Sequence, residues 1–174
     1  MRQVVFVSGA PGAGKSTLAP PLAQALVFPL LSKDIIKERL ADSLANPGED
    51  PLVWSRRLGG AAMELIWTLA ALSPAVVLEA NFRPRSPVEL ERFAGLGARM
   101  VEVHCVCSPL EASRRYSARA RTADRHPIHA LHDLPAELLA EYDQPVGLGD
   151  LVEVNTEGPV AVEMVAQAVR RLLG

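Results

Sequence analysis

The sequence predicts an α/β fold with a mostly parallel sheet. Apolar strand-like runs alternate with helix-like patterns along the whole chain. The first strand-helix pair is joined by a glycine-rich stretch, Gly9-Ala-Pro-Gly-Ala-Gly14-Lys15-Ser16. Acidic and polar residues gather where the apolar runs stop, which is where open α/β sheets collect ligands.

The elements follow in order. Val4 to Val7 is a buried strand by its β-branched and aromatic content. Residues 9–16 match G-x-x-x-x-G-K-[ST], and Thr17, Leu18, Ala19, Leu22, Ala23 and Leu26 open a helix running to about Ala25. Pro20 and Pro21 lie inside that pattern and predict a kink or early break. Phe28 to Leu31 reads as a short second strand ending at Ser32-Lys33-Asp34. Ile35, Ile36, Leu40 and Leu44 recur at helical spacing, and Asn46 to Pro51 is a loop.

Trp54, Leu58, Ala62, Leu65, Ile66 and Leu69 form the apolar stripe of a long helix that stops at Ser73-Pro74. Ala75 to Leu78 is a third strand, followed by Glu79-Ala-Asn81-Phe-Arg83. A short helix spans Pro87 to Ala94, and Met100 to Val106 is the fourth strand. Ser108-Pro109 starts a helix whose polar face carries Arg114, Arg115, Arg119 and Arg121. Thr122 to Leu134 reads as irregular and Ala136 to Tyr142 as a short helix. Leu151 to Val154 is the last strand, and a helix from about Val160 to Leu173 closes the chain.

The 174 residues make one domain with an ordinary apolar content of 49%. The net charge of −2 gives no electrostatic case for nucleic acid or an anionic membrane. No apolar run is long enough to cross a bilayer, and residues 1–8 do not resemble a signal peptide. Cys105 and Cys107 stand two apart on a strand and read as buried thiols. The absence of a disulfide framework fits a cytoplasmic protein.

The glycine-rich loop points to phosphate chemistry. Glycines let backbone N–H groups wrap around phosphate oxygens, and the following helix adds its positive end. Lys15 can reach β- and γ-phosphates, and the Ser16 hydroxyl can ligate Mg²⁺. Transfer of a phosphoryl group also needs a group that holds the acceptor hydroxyl and cations that offset developing charge. Asp34, at the end of the second strand, suits the first task, although Asp also caps helices well. Glu79 ends the third strand and could hold Mg²⁺ through water or contact the acceptor. Asn81 and Arg83 follow in the same loop, and Arg83 suits an anionic acceptor.

Arg114, Arg115, Arg119, Arg121 and Arg125 make a dense basic run with Asp124 as the acid near it. Arg115 and Arg119 share one helix face. A lid over a triphosphate, covering about residues 115–137, accounts for this run better than a solvated face. A nucleic-acid patch is weaker, since only Tyr116 interleaves with the charges. His126, His129 and His132 recur every three residues, but no cysteine or acid pair completes a zinc site.

With these residues in place, the chain resembles the small P-loop kinases of the nucleoside-monophosphate-kinase-like group, within the AAA-type ATP-binding kinases. It is similar in pattern to gluconate and shikimate kinases, chloramphenicol phosphotransferase and the kinase domain of polynucleotide kinase. GAPGAGKST at 9–17 matches their Walker A, Asp34 their acceptor-side acid, and the Arg115/Arg119 pair their lid arginines. Residues 126–145 resemble the lid and following helix of gluconate kinases. VEVNTEGP at 152–159 resembles the strand and turn beside adenine, placing Thr156 and Pro159 near the base.

The resemblance implies a three-layer αβα sandwich with strand order 2-3-1-4-5. It implies an ATP- and Mg²⁺-dependent kinase acting on a hydroxyl of a small molecule. Lys15, Asp34, Arg115 and Arg119 would be catalytic. Gly9, Gly12, Ala13, Gly14, Lys15, Ser16, Thr17 and Arg115 would hold nucleotide, with Thr156 and Pro159 at its base. Asp34, Glu79, Asn81 and Arg83 would hold the acceptor. There are departures: Glu79 stands where Asp is usual, and Ile36 where D-x-D kinases carry a second acid. A polynucleotide 5′-hydroxyl kinase and a non-catalytic ATP-binding accessory protein are the alternatives.

Overall fold

A computed structural model describes residues 1–123, 125–131, 136–142 and 144–174. Its strands are β1 (Arg2–Ser8), β2 (Leu30–Ser32), β3 (Ala75–Glu79), β4 (Ala98–Val106) and β5 (Asp150–Asn155). They form one parallel sheet in the order β2-β3-β1-β4-β5, as the resemblance implied. The helices are α1 (Lys15–Leu26), α2 (Lys33–Ser43), α3 (Pro51–Leu72), α4 (Pro87–Gly95), α5 (Pro109–Ala120), α6 (Ala136–Glu141) and α7 (Val162–Leu173).

Alternation along the strands splits the core into two layers. Val5, Val7, Val77, Val101 and Val103 face α1 and α7, where Leu18, Leu22, Leu26, Val165 and Val169 cover them. Val4, Phe6, Val76 and Leu78 face α3 and α4. There Phe6, Trp67, Phe82 and Phe93 pack with ring centroids 4.5–5.9 Å apart. Each such buried side chain contributes about 1.5–3 kcal/mol relative to exposure. β1 and β3 need apolar residues on both faces, which is why residues 4–7 and 75–78 read as unbroken hydrophobic runs.

Several boundaries differ from the sequence expectation. α1 continues through Pro20 and Pro21 to Leu26 instead of breaking early. Its inner face is held by Leu18, Ala19, Leu22 and Ala23, and the carbonyls the prolines cannot bond belong to exposed Ser16 and Thr17. β2 starts at Leu30 rather than Phe28. Val27 ends α1 in a left-handed conformation (φ 59°), and the Phe28 N–H turns back to the Ala23 carbonyl, so Phe28 belongs to the helix cap.

The stripe of α3 is rotated from the expected one. Leu65 and Leu69 are 40% and 41% exposed, while Gly59, Trp67 and Ala70 are buried. Small residues let α2 and β3 approach closely, and an apolar count favours the larger leucines. α7 begins at Val162, after Pro159, rather than at Val160. No helix among the described residues is long and apolar enough to cross a membrane.

Candidate active site

All five strands end on the same side of the sheet, and a cleft of about 1630 Å³ opens above them. Gly12, Gly14, Lys15, Ser16 and Thr17 line one end of it. The loop has the conformation its glycines permit. Gly9, Gly12 and Gly14 have φ of 126°, 85° and 88°. At Gly12 an added Cβ would run into the Ala112 backbone carbonyl on α5, so the loop lies against that helix. Gly12→Ala is therefore expected to lose about 2 kcal/mol or more in urea unfolding, from left-handed strain plus the contact.

Lys15 is buried, and its ammonium donates to the Gly9 carbonyl at 2.8 Å and the Ala10 carbonyl at 2.9 Å. Burial lowers its pKa from the ordinary value; Glu79, Cys105 and Asp34 act in the opposite sense, and Arg119 adds to the lowering. A buried ammonium among inward amides fits a polyphosphate better than it fits water.

The parallel register brings Ser32 opposite Glu79. Ser32 Oγ donates to Glu79 Oε2 at 2.5 Å, and Ser16 Oγ donates to Oε1 at 3.3 Å. This hydroxyl-carboxylate pair beside the loop suits Mg²⁺, which takes few protein ligands and the rest from water and phosphate. No cluster of three or more His, Cys, Asp or Glu side chains able to hold a metal occurs among the described residues. His132 of the histidine series lies outside the described residues.

Asp34 lines the same cleft. It is the second residue of α2, inside the first turn, and not the N-cap, which is Ser32. That frees its carboxylate from capping and places it at the positive end of the helix. Asn81 and Arg83 also line the cleft. Arg83 is not poised for an anion, however. Its Nε is shared by Glu141 at 3.1 Å and the Tyr142 hydroxyl at 3.1 Å.

The arginine run is also more neutralised than expected. Asp124 lies outside the described residues, but Glu111, one turn upstream on α5, takes Arg114 at 2.7 Å and Arg115 at 2.6 Å. Those two guanidinium groups hold the Glu111 carboxyl down to about 2, so the pair survives until strongly acid pH. Arg115 also donates to the Thr156 carbonyl at 2.8 Å, and the Thr156 hydroxyl donates to the Ala13 carbonyl at 2.8 Å. Arg115 is thereby fixed beside the glycine-rich loop. Arg115, Arg119, Thr156 and Pro159 all line the cleft, whereas Gly9 and Ala13 pack behind the loop.

The far wall is formed by the segment after α5. His126 meets Asp42 at 3.0 Å and His129 meets Glu38 at 2.8 Å, so this segment rests on α2. Behind the loop, Ser8, Glu102 and His104 form a fully buried cluster that sequence reasoning missed. Ser8 donates to Glu102 Oε1 at 2.5 Å and lies 2.8 Å from His104 Nδ1. Glu102 also accepts the Val146 and Gly147 amides at 2.8 and 2.9 Å. An acid inside an apolar strand run was the signal. Cys105 is buried nearby as expected, its thiol pushed up to about 12 by burial, whereas Cys107 is only half-buried.

The AAA domain family model matches residues 4–144. The chain belongs to that family. No curated protein matches it significantly. Among solved structures, a candidate kinase from Chloroflexus aurantiacus J-10-fl is 31% identical with a TM-score of 0.88, covering 99% of both chains. A gluconokinase from Sinorhizobium meliloti 1021 is 22% identical with a TM-score of 0.61, over 99% of this chain and 95% of the other. An APS kinase from Mycobacterium tuberculosis, in complex with AMPPNP and APS, is 22% identical with a TM-score of 0.58, over 99% and 97%. The two distant matches show the P-loop kinase fold. Together these likenesses support a kinase in general terms for this AAA-domain protein.

Proposed function

We propose that this AAA-domain protein is a kinase that moves the γ-phosphate of MgATP to a hydroxyl of a small molecule. One observation carries the reading: the phosphate-type loop with its buried Lys15 and the acid Asp34 line one cleft. The AMPPNP held by the APS kinase of like fold supports ATP as donor.

Amides of the loop from Gly12 to Thr17, with Lys15, grip the β- and γ-phosphates. Ser16 and Glu79 would hold Mg²⁺, which neutralises charge on the phosphate oxygens. Asp34 accepts the proton of the acceptor hydroxyl and aims its oxygen at phosphorus. Arg115 and Arg119 donate to the equatorial oxygens as charge spreads over them. Glu79, Asn81 and Arg83 border the acceptor, with Arg83 acting through its Tyr142 and Glu141 partners. Thr156 and Pro159 border the adenine.

The test is a screen of hydroxylated small molecules with purified protein and labelled ATP, with an oligonucleotide bearing a 5′-hydroxyl in parallel. Label transfer to a small molecule is expected. Transfer to the oligonucleotide alone would replace this reading with the polynucleotide one. ATP binding with no transfer to any acceptor would favour an accessory role.

A further inference from the structure

Three cations of the cleft wall lie near one another around the first turns of α2. They are Lys33, Lys37 and Arg125, and Ser55 and Gly59 of α3 line the cleft with them. The Lys37 side chain is almost wholly buried, at 8% exposure, and its ammonium has Ser55 Oγ at 2.7 Å. The Lys33 stem passes Gly59, with its Cε 3.7 Å from where a Cβ would stand.

The Arg125 guanidinium sits over the Tyr116 ring at 5.3 Å, and its Nη2 donates to the Leu131 carbonyl. Its Nη1 is buried without a hydrogen-bond partner, one of two such side-chain atoms among the described residues. The nearest acids are otherwise placed. Glu38 is taken by His129, and Asp34 lies one turn toward the phosphate loop. Burial lowers the Lys37 pKa first, and Lys33 and Arg125 lower it further, while Asp34 and Glu38 oppose them.

A buried ammonium with one hydroxyl, and a guanidinium edge with nothing, each forgo hydrogen bonds that water would give. An oxyanion would supply both at once, through charge-assisted bonds. We propose that Lys37 and Arg125, with Ser55, bind an oxyanion carried by the acceptor, a carboxylate or a phosphate. Asp34 and Lys37 are three apart on α2, so the two side chains rise from one face of the helix with Cβ atoms about 5–6 Å apart, and one small acceptor can meet both. The acceptor is then a small hydroxy acid or a phosphorylated alcohol, not a neutral alcohol. The proposal rests on the reading of Asp34 as the acceptor-side acid.

The experiment uses the full chain saturated with Mg²⁺ and AMPPNP, so that the phosphate loop is filled. Glycolate, inorganic phosphate and neutral ethylene glycol are titrated by calorimetry and thermal shift. Glycolate or phosphate is expected to bind and ethylene glycol not to. Lys37→Met and Arg125→Met should each weaken the anion by about tenfold or more, with AMPPNP affinity unchanged. Arg125→Lys should recover part of the loss. Tighter phosphate than glycolate assigns the phosphorylated alcohol, and the reverse assigns the hydroxy acid.

Binding of neither anion, or equal binding in wild type and both variants, overturns the site. ADP release is measured in parallel with hydroxy acids, sugar phosphates and their esters or free sugars. Lys37-dependent anion binding without any transfer would sink the kinase reading and keep the site. Transfer to neutral acceptors without anion binding would do the opposite.

Discussion

Lys15→Ala is expected to lower kcat for phosphoryl transfer by about a thousandfold. The ammonium is buried, held by two loop carbonyls, and lines the cleft with the amides of the glycine-rich loop. Under the proposed function, a positive charge fixed there and itself shielded from water would stabilise charge on the transferring group more than it would in solvent. The variant is not expected to be less stable. Burial depresses the Lys15 pKa, so the folded protein bears a cost for the charged form. That cost is fully present below the lowered value and fades as pH rises toward 10.5, the unfolded value. Alanine removes it, so the melting temperature at neutral pH should match or exceed that of wild type. Rapid-quench assays with labelled ATP read the rate, and calorimetry reads the stability. A variant within about tenfold of wild-type turnover would show that the charge does not act in the transition state.

Asp34→Asn should cut kcat by about 10²–10⁴ on the true acceptor, with nucleotide affinity unchanged. Asparagine keeps the shape and the place in the first turn of α2 but cannot accept the proton. A second readout separates this from a change of shape. Asp34 raises the pKa of both Lys15 and Lys37, against the depression that burial imposes. Without that carboxylate both amines lose their charge at lower pH, so the alkaline limb of the residual pH–rate profile should move to lower pH. Full activity with an unmoved limb would remove Asp34 from the reaction.

The parts of this protein legible in the sequence are those fixed by local chemistry. Residues 9–16 could be read because the spacing of Gly9, Gly14 and Lys15 states a backbone conformation directly, and the structure gives Gly9, Gly12 and Gly14 positive φ. Strand ends could be read because β-branched runs stop at polar residues, which placed Asp34 and Glu79 over the sheet. The strand order came from resemblance alone, since spacing along a chain does not say which strands pair.

What stayed hidden depends on which surfaces meet. Arg83 looked free until the C-terminal end of α6 brought Glu141 and the following Tyr142 to it. Glu111 escaped notice as the partner of Arg114 and Arg115 because it lies upstream of the basic run. Lys37 carries no signal in the sequence, and only the packing of α2 on α3 buries it against Ser55. The buried face of α3 was misjudged for a related reason: glycine and alanine mark close approach, and hydrophobicity alone does not weigh that.

The Glu102 carboxylate binds the hydroxyl of Ser8, the residue immediately before the glycine-rich loop, and also two amides of the chain returning from α6. One buried group thus moors the inbound end of the covering segment to the footing of the phosphate cradle. Because Ser8 lies on β1 and Glu102 on β4, the same carboxylate also joins two neighbouring strands beneath the cleft. If the segment closes over substrates, this tie sets the inner limit of that movement at Val146.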